Sequence, residues 1–356
     1  MSLGMTVILK PTYACDAACE YCEVHKWGSL FAPMEIKTYD LLKQKIKNFF
    51  KDKATIKFYW LGGEPLMAGD DFYAKVLESD LKDNSDVKYL HAIQSNLISY
   101  HKKEFKNLKK LLQKDDGTIF FSTSADPVSS ARKLKNGKSY DKEFLKSIFK
   151  LKKEKAGYSA VYTVHAGSLK KAKEIYFYFK NLNFKGININ AMCDYAGNFS
   201  EKDFDMTPKE YGEFLCDMWD IWKEDKYKLN ITPFNSWKRL RDTGKEDQLR
   251  CHNDGKCDKS LCAVGPNGDV FTCDRAMQAK QKPLGNIKEN DFDEMFEKKY
   301  HQKRIKYLKE NDCKDCKWWN YCKGGCPYES RGEYIGIFEK SFWCEGYKML
   351  FDHIGA

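Results

Sequence analysis

The chain has 356 residues, 42% of them hydrophobic, and 61 Lys and Arg against 51 Asp and Glu give a formal charge of +10. That length accommodates a large α/β domain with a smaller companion, and the lack of any run of about 18 apolar residues predicts no membrane span. "MSLGMTVILK" lacks the layout of a signal peptide, so fourteen Cys point to a reducing cytoplasm and metal ligation rather than disulfides.

Six short apolar runs alternate with helical patterns between residue 5 and about 195. They are "TVILK" (6–10), "IKFYWLGG" (56–63), "VKYLHAIQSN" (87–96), "TIFFSTSAD" (118–126), "GYSAVYTVHA" (157–166) and "GININAMC" (186–193). Each has the β-branched and aromatic character of a buried parallel strand. Between them, Leu42, Ile46, Phe49 and Phe50 form one helical stripe, and Leu169, Ala172, Tyr176 and Phe179 another. Six repeats, short of eight, predict an α/β fold of the partial (β/α)6 TIM-barrel type over residues 5–235. The stretch "TPKEYGEFLCDMWDIW" predicts a further helix, with Thr207 as cap, Pro208 in the first turn and Glu210 closing a capping box. Its buried stripe is Tyr211, Phe214, Leu215, Met218 and Trp222, while Cys193 and Cys216 read as core thiols. From 236 to 356 Cys become dense and turns such as "GPNGD" appear, which predicts a small domain stabilised by metal. The Lys-rich runs "KKEFKNLKK" and "KLKKEKAG" read as solvated helix faces, with no nucleic-acid motif beside them.

Cys15, Cys19 and Cys22 follow the first strand in a C-x3-C-x2-C rhythm. Three thiols cannot all pair with one another, and a closed tetrahedral zinc site needs a fourth ligand, for which His25 is the only nearby candidate. Three Cys that leave one metal position open suit an iron–sulfur cluster that must bind something else. In a parallel barrel, function collects at the C-terminal ends of the strands. There the cysteine loop, "LGGEP", "QSN" and "STSAD" are expected to converge on one rim.

These residues resemble the radical S-adenosylmethionine superfamily, through Cys15, Cys19, Tyr21 and Cys22 and through Gly62-Gly63-Glu64 at the end of strand two. The resemblance implies that three thiolates hold a four-iron cluster whose fourth iron is chelated by the methionyl amine and carboxylate. One electron, from a donor such as flavodoxin or ferredoxin, then cleaves the cofactor to a 5′-deoxyadenosyl radical that takes hydrogen from substrate. It further implies that Gly62 and Gly63 admit the methionyl group, Glu64 accepts from its amine, and Tyr21 lies against adenine. Asn96 and Ser124 are expected as polar contacts.

The C-terminal Cys pattern resembles the SPASM domain, an extension that carries auxiliary clusters on radical enzymes modifying peptides and proteins. By that resemblance Cys251, Cys257, Cys273 and Cys326 hold one four-iron cluster, and Cys313, Cys316, Cys322 and Cys344 hold another, making three in all. Zinc stays open for any single C-x2-C, and Cys262 is left over as a bystander thiol or alternate ligand. Full ligation would make the auxiliary clusters electron carriers.

Overall order most resembles the anaerobic sulfatase-maturating enzymes, which oxidise a Cys or Ser of a sulfatase. The resemblance makes Asp274, directly after Cys273, the general base. Val24 and Leu61 stand where that family carries an aromatic residue and Gln, and Asp126-Pro127 replaces Asp-Gly-Pro. With the barrel expected from residue 5, no fused leader-binding domain is expected, as some crosslinking maturases carry. The expectation is therefore a radical oxidoreductase acting on a peptide or protein side chain, by oxidation or by crosslinking. The alternatives are a radical enzyme for a small molecule and a non-catalytic electron-transfer protein.

Overall fold

The computed structural model describes residues 4–22, 24, 31–51, 54–193, 204–246, 257–329 and 338–356. The strands among them are β1 (Gly4–Leu9), β2 (Thr55–Trp60), β3 (Lys88–Ser95), β4 (Phe120–Ser124), β5 (Gly157–Val164), β6 (Gly186–Ala191), β7 (Asn230–Thr232), β8 (Leu261–Val264), β9 (Asp269–Phe271) and β10 (Gly285–Asn286). The chain divides into two compact units. One comprises Met1–Ser124, Ser130–Tyr158 and Lys259–Lys299, and the other Ala125–Ser129, Ser159–Asp258 and Tyr300–Ala356.

In the first unit β1, β2, β3 and β4 run parallel, in registers such as Ile8↔Tyr59, Tyr59↔Ala92 and Gln94↔Ser122. Side chains alternate between two faces, as a strand requires. Val7, Leu9, Phe58, Trp60 and Phe121 point to the helix-covered face and are fully buried. There α1 (Ile36–Phe50) sets Tyr39 5.2 Å from the Phe58 ring, and α2 (Asp70–Leu81) sets Tyr73 5.6 Å from Trp60. Ile8, Tyr59, Gln94 and Ser122 line the other, less buried face. The remaining helices of this unit include α3 (Lys106–Leu112) and α4 (Tyr140–Lys153).

The unit boundaries differ from a division at 235/236. Leu261–Val264 forms β8, parallel to β1 with Val7↔Cys262 and Leu9↔Val264 in register, and β9 and β10 follow antiparallel. The reason is a partner far along the chain. β1 needs a second neighbour, and the run "LCAV" supplies one whose Cys262, Ala263 and Val264 are fully buried. Cys262 is thus a core residue of the first unit.

The second unit carries β5, β6 and β7 in parallel, with Val161↔Asn188 and Ile187↔Ile231 paired. Its helices include α5 (Ala172–Asn181), α6 (Pro208–Glu224) and α7 (Phe234–Thr243). The capping box of α6 is as expected: Glu210 N donates to Thr207 Oγ1 at 3.2 Å, and Thr207 N donates to Glu210 Oε2 at 2.8 Å. Its stripe is buried too, widened by Trp219. The helix Cys344–His353 packs on α6 closely enough that a Cβ on Gly346 would lie 2.2 Å from Pro208 O. Among the described residues, no helix is long and apolar enough to cross a membrane.

Candidate active site

The loop after β1 is fixed by main-chain hydrogen bonds on two sides. On one, Gly63 N donates to Thr12 O at 3.1 Å and Glu64 N to Ala14 O at 2.8 Å. On the other, a strap at 131–135 meets it. Ala18 N donates to Lys133 O at 2.8 Å, Glu20 N to Ala131 O at 2.9 Å, and Lys135 N to Asp16 O at 3.0 Å. Cys19 is buried on this loop, and Cys15 and Cys22 are half-buried. Burial pushes the Cys15 and Cys19 thiols up, and the Arg132 charge opposes that push at Cys19. His25 lies outside the described residues.

The Gly62-Gly63-Glu64 turn packs closely against the cysteine loop. A Cβ on Gly63 would lie 2.2 Å from Tyr13 O and 2.4 Å from Ala14 O, and one on Gly62 2.4 Å from Thr12 O. The space reserved by these glycines is filled by the cysteine loop itself. Glu64 is 0% exposed. Its Oε1 accepts from Leu66 N at 2.9 Å and Ser95 Oγ at 2.7 Å, and its Oε2 from Asn96 N at 2.7 Å. Burial pushes its carboxyl up to about 8. Glu64 therefore staples the end of β2 to the end of β3. Asn96 also serves the loop, donating from Nδ2 to Asp16 Oδ1 at 2.7 Å and to Cys15 Sγ at 3.7 Å.

Arg132 escaped the sequence reading. Its guanidinium carbon lies 5.6 Å from the ring centre of Tyr21 and 5.4 Å from that of Tyr140. Nη1 donates to Tyr140 Oη at 3.1 Å, whereas Nε is buried and has no hydrogen-bond partner among the described residues. A signal was present, because Arg132 is the one Arg among fifteen Lys between 101 and 158. Tyr21 thus stacks on an arginine. Ser124 closes a polar line along the open face of the sheet. Tyr59 Oη donates to Gln94 Oε1 at 3.1 Å, and Gln94 Nε2 reaches Ser124 Oγ at 3.5 Å.

Asp274 opens the short helix Asp274–Gln278 that follows Cys273. Its Oδ1 lies 2.5 Å from Nζ of the fully buried Lys10, and its Oδ2 accepts from Gln278 Nε2 at 2.5 Å. Both oxygens are therefore oriented by the protein. Asp274 adds to the burial that pushes the Tyr59 phenol up, which puts it within electrostatic reach of the open face. Val24 is buried with Tyr13, Ala263 and Met277, so here it is a core residue; Leu61 N, at the end of β2, donates to Leu9 O at 2.8 Å.

In the second unit, Cys313, Cys316, Cys322 and Cys344 line one pocket of about 450 Å³ empty volume together with Trp318, Trp319, Gly324, Gly325 and Tyr347. Burial pushes the Cys322 thiol up to about 12 and raises those of Cys313 and Cys344. Of the other expected set, Cys273 belongs to the first unit and Cys257 and Cys326 to the second, while Cys251 lies outside the described residues. Cys193 accepts from Trp343 Nε1 at 3.3 Å, and Cys216 is half-buried on α6. Among the described residues no three His, Cys, Asp or Glu converge tightly enough to share a single ion. A cubane spreads its thiolates, one to each iron.

The iron–sulfur cluster-binding domain named SPASM matches residues 251–317. Over 98% of this chain and 96% of the relative, 25% of residues are identical to the cysteine-type anaerobic sulfatase-maturating enzyme of Clostridium perfringens. The serine-type enzyme of Bacteroides thetaiotaomicron is 27% identical over 98% of this chain and 89% of its own length. Among solved structures, native anSMEcpe with bound AdoMet and Cp18Cys peptide matches in fold, with a TM-score of 0.82 and 24% identity over 99% of this chain and 97% of that one. Over nearly its whole length the chain resembles the anaerobic sulfatase maturases, which are radical S-adenosylmethionine enzymes with a SPASM domain. Its residues fit the groups such an enzyme carries. A three-thiol loop beside an unpartnered buried Arg132 Nε suits a cluster and a carboxylate-bearing cofactor, and a four-thiol pocket suits a closed cluster.

Proposed function

We propose that this enzyme oxidises a Cys or Ser side chain within a peptide or protein, as the sulfatase maturases do. The three-Cys loop with the orphaned Arg132 Nε carries this reading, on a chain aligned with such enzymes over nearly its whole length. Cys15, Cys19 and Cys22 would hold the cofactor-binding cluster, and Arg132 would receive the methionyl carboxylate. Tyr21, fixed on the Arg132 face, would border the adenine side, with Asn96 tuning Cys15 through its N–H···S contact. When bound, S-adenosylmethionine and its cluster supply hydrogen-atom abstraction, and the auxiliary clusters supply an electron path.

Asp274, aimed by Lys10 and Gln278, would take the proton that the oxidised side chain releases. Cys251, Cys257, Cys273 and Cys326 would hold one auxiliary cluster, and Cys313, Cys316, Cys322 and Cys344 the other. A small reduced protein such as flavodoxin or ferredoxin would supply the electron in a reducing cytoplasm. The division into a barrel over 5–235 and a SPASM domain over 236–356 remains part of this proposal as a functional one, although the compact units interleave.

The test uses anaerobically reconstituted protein with dithionite, S-adenosylmethionine and peptides spanning the modified Cys or Ser of a sulfatase. The expected result is 5′-deoxyadenosine together with an aldehyde-bearing peptide. Deoxyadenosine without any change to either peptide would overturn the substrate assignment. Cleavage at full rate in Cys22→Ala would overturn the loop assignment.

A further inference from the structure

Arg304, on the helix His301–Glu310, is 0% exposed. Among the described residues its guanidinium makes only main-chain hydrogen bonds. Nη1 donates to Gly325 O at 2.8 Å, Nη2 to Gly324 O at 3.0 Å and Glu339 O at 2.5 Å, and Nε to Glu339 O at 3.1 Å. Gly324 and Gly325 form the turn between Cys322 and Cys326, and Glu339 leads into Cys344. One buried side chain thus ties together two segments that lead to thiols, the turn between Cys322 and Cys326 and the stretch before Cys344.

A full charge away from water needs a counter-charge, since carbonyl dipoles offset its desolvation only in part. No carboxylate lies within ion-pair distance of Arg304 among the described residues. The groups that support its charge against burial are, in falling order, Cys326, Glu329, Cys313 and Tyr300. Glu329, a buried carboxylate that accepts from Ser341 Oγ at 3.0 Å, supplies part of that support. The two thiols are ones that the reading under Proposed function, on which this inference rests, assigns to two different clusters. A cubane with four thiolates is an anion, and more so when reduced.

We infer that Arg304 is the internal counter-charge of the auxiliary clusters, a positioning residue that favours their reduced form and joins their ligand segments. Its fork sets the turn that presents Cys322 and Cys326, and its charge acts on the thiolates of Cys326 and Cys313.

The test is a spectroscopically monitored redox titration of the reconstituted full chain. A Cys15→Ala, Cys19→Ala, Cys22→Ala background leaves only auxiliary signals. Arg304→Lys, which keeps the charge, should hold its iron and titrate near the parent. Arg304→Met should titrate lower for at least one auxiliary cluster, by about tenfold in the reduced-to-oxidised ratio at fixed potential, or ~59 mV for one electron. Loss of auxiliary iron in Arg304→Met alone would also support the counter-charge. Equal iron loss in both variants, equal shifts in both, or an unshifted and fully loaded Arg304→Met would overturn it. A parent protein without auxiliary iron would instead refute the ligand assignment.

Discussion

The two cysteine regions are built in opposite ways. The Cys15–Cys22 loop is held by contacts within its own unit. Main-chain hydrogen bonds tie it to the β2 turn and to the 131–135 strap, and two glycines let that turn come against it. Among the described residues the Cys313–Cys344 field carries no strand, only helices and turns around a pocket, with Cys313 buried, the other three thiols half-buried and one buried arginine. A scaffold that pre-shapes a loop can leave one coordination position to a ligand. A region of short helices and turns around four thiols would gain local order from a closed cluster.

Stripping all iron with a chelator should break this symmetry most visibly. Hydrogen exchange in 313–326 and 341–353 should rise to the limit of local unfolding, since a structural metal in a small site is worth ~10 kcal/mol or more. Exchange in β1, β2 and the turn 61–66 should change little. Equal loosening of both regions would show that the first loop is not pre-shaped.

Gly63→Ala tests the close approach directly. Its methyl must displace the backbone of Tyr13 and Ala14, an overpacking cost of about 2–3 kcal/mol. The expected outcome, read by iron assay and product chromatography, is loss of about a third of roughly twelve irons and of cofactor cleavage, with auxiliary clusters kept. Full iron with normal cleavage would show that the turn yields easily.

Glu64→Gln should be milder. One of the two main-chain donors it serves, Leu66 N or Asn96 N, would face an amide N–H, at a cost of ~1–3 kcal/mol. A lower unfolding midpoint with the cofactor still cleaved is expected, whereas a stable protein that fails to bind S-adenosylmethionine would return Glu64 to the cofactor.

Cys262→Ala should do least. As a buried β8 residue paired with Val7 it loses about 1 kcal/mol of packing and no iron. Iron loss would make it a ligand and would redraw the auxiliary sets.

Much of the molecule was legible because its signals are local. The six β/α strands, the Thr207–Glu210 box and the buried stripe of α6 follow from period and capping, which depend on neighbours in sequence. The cysteine rhythm marked the first loop for the same reason. Missed features depend on partners far along the chain. β8 is four residues long and gains its identity only by lying beside β1.

By itself, then, the sequence determined which segments become strands and helices, and that three thiols share one loop after β1. Only the tertiary structure decided that Gly62, Gly63 and Glu64 brace that loop, that Val24 and Cys262 are core, that Arg132 meets Tyr21 and that Arg304 is a buried charge. The physical reason is that spacing encodes a residue's neighbours along the chain. Burial, and with it the strength of a charge or the cost of an unpaired donor, is set by segments that fold in from elsewhere.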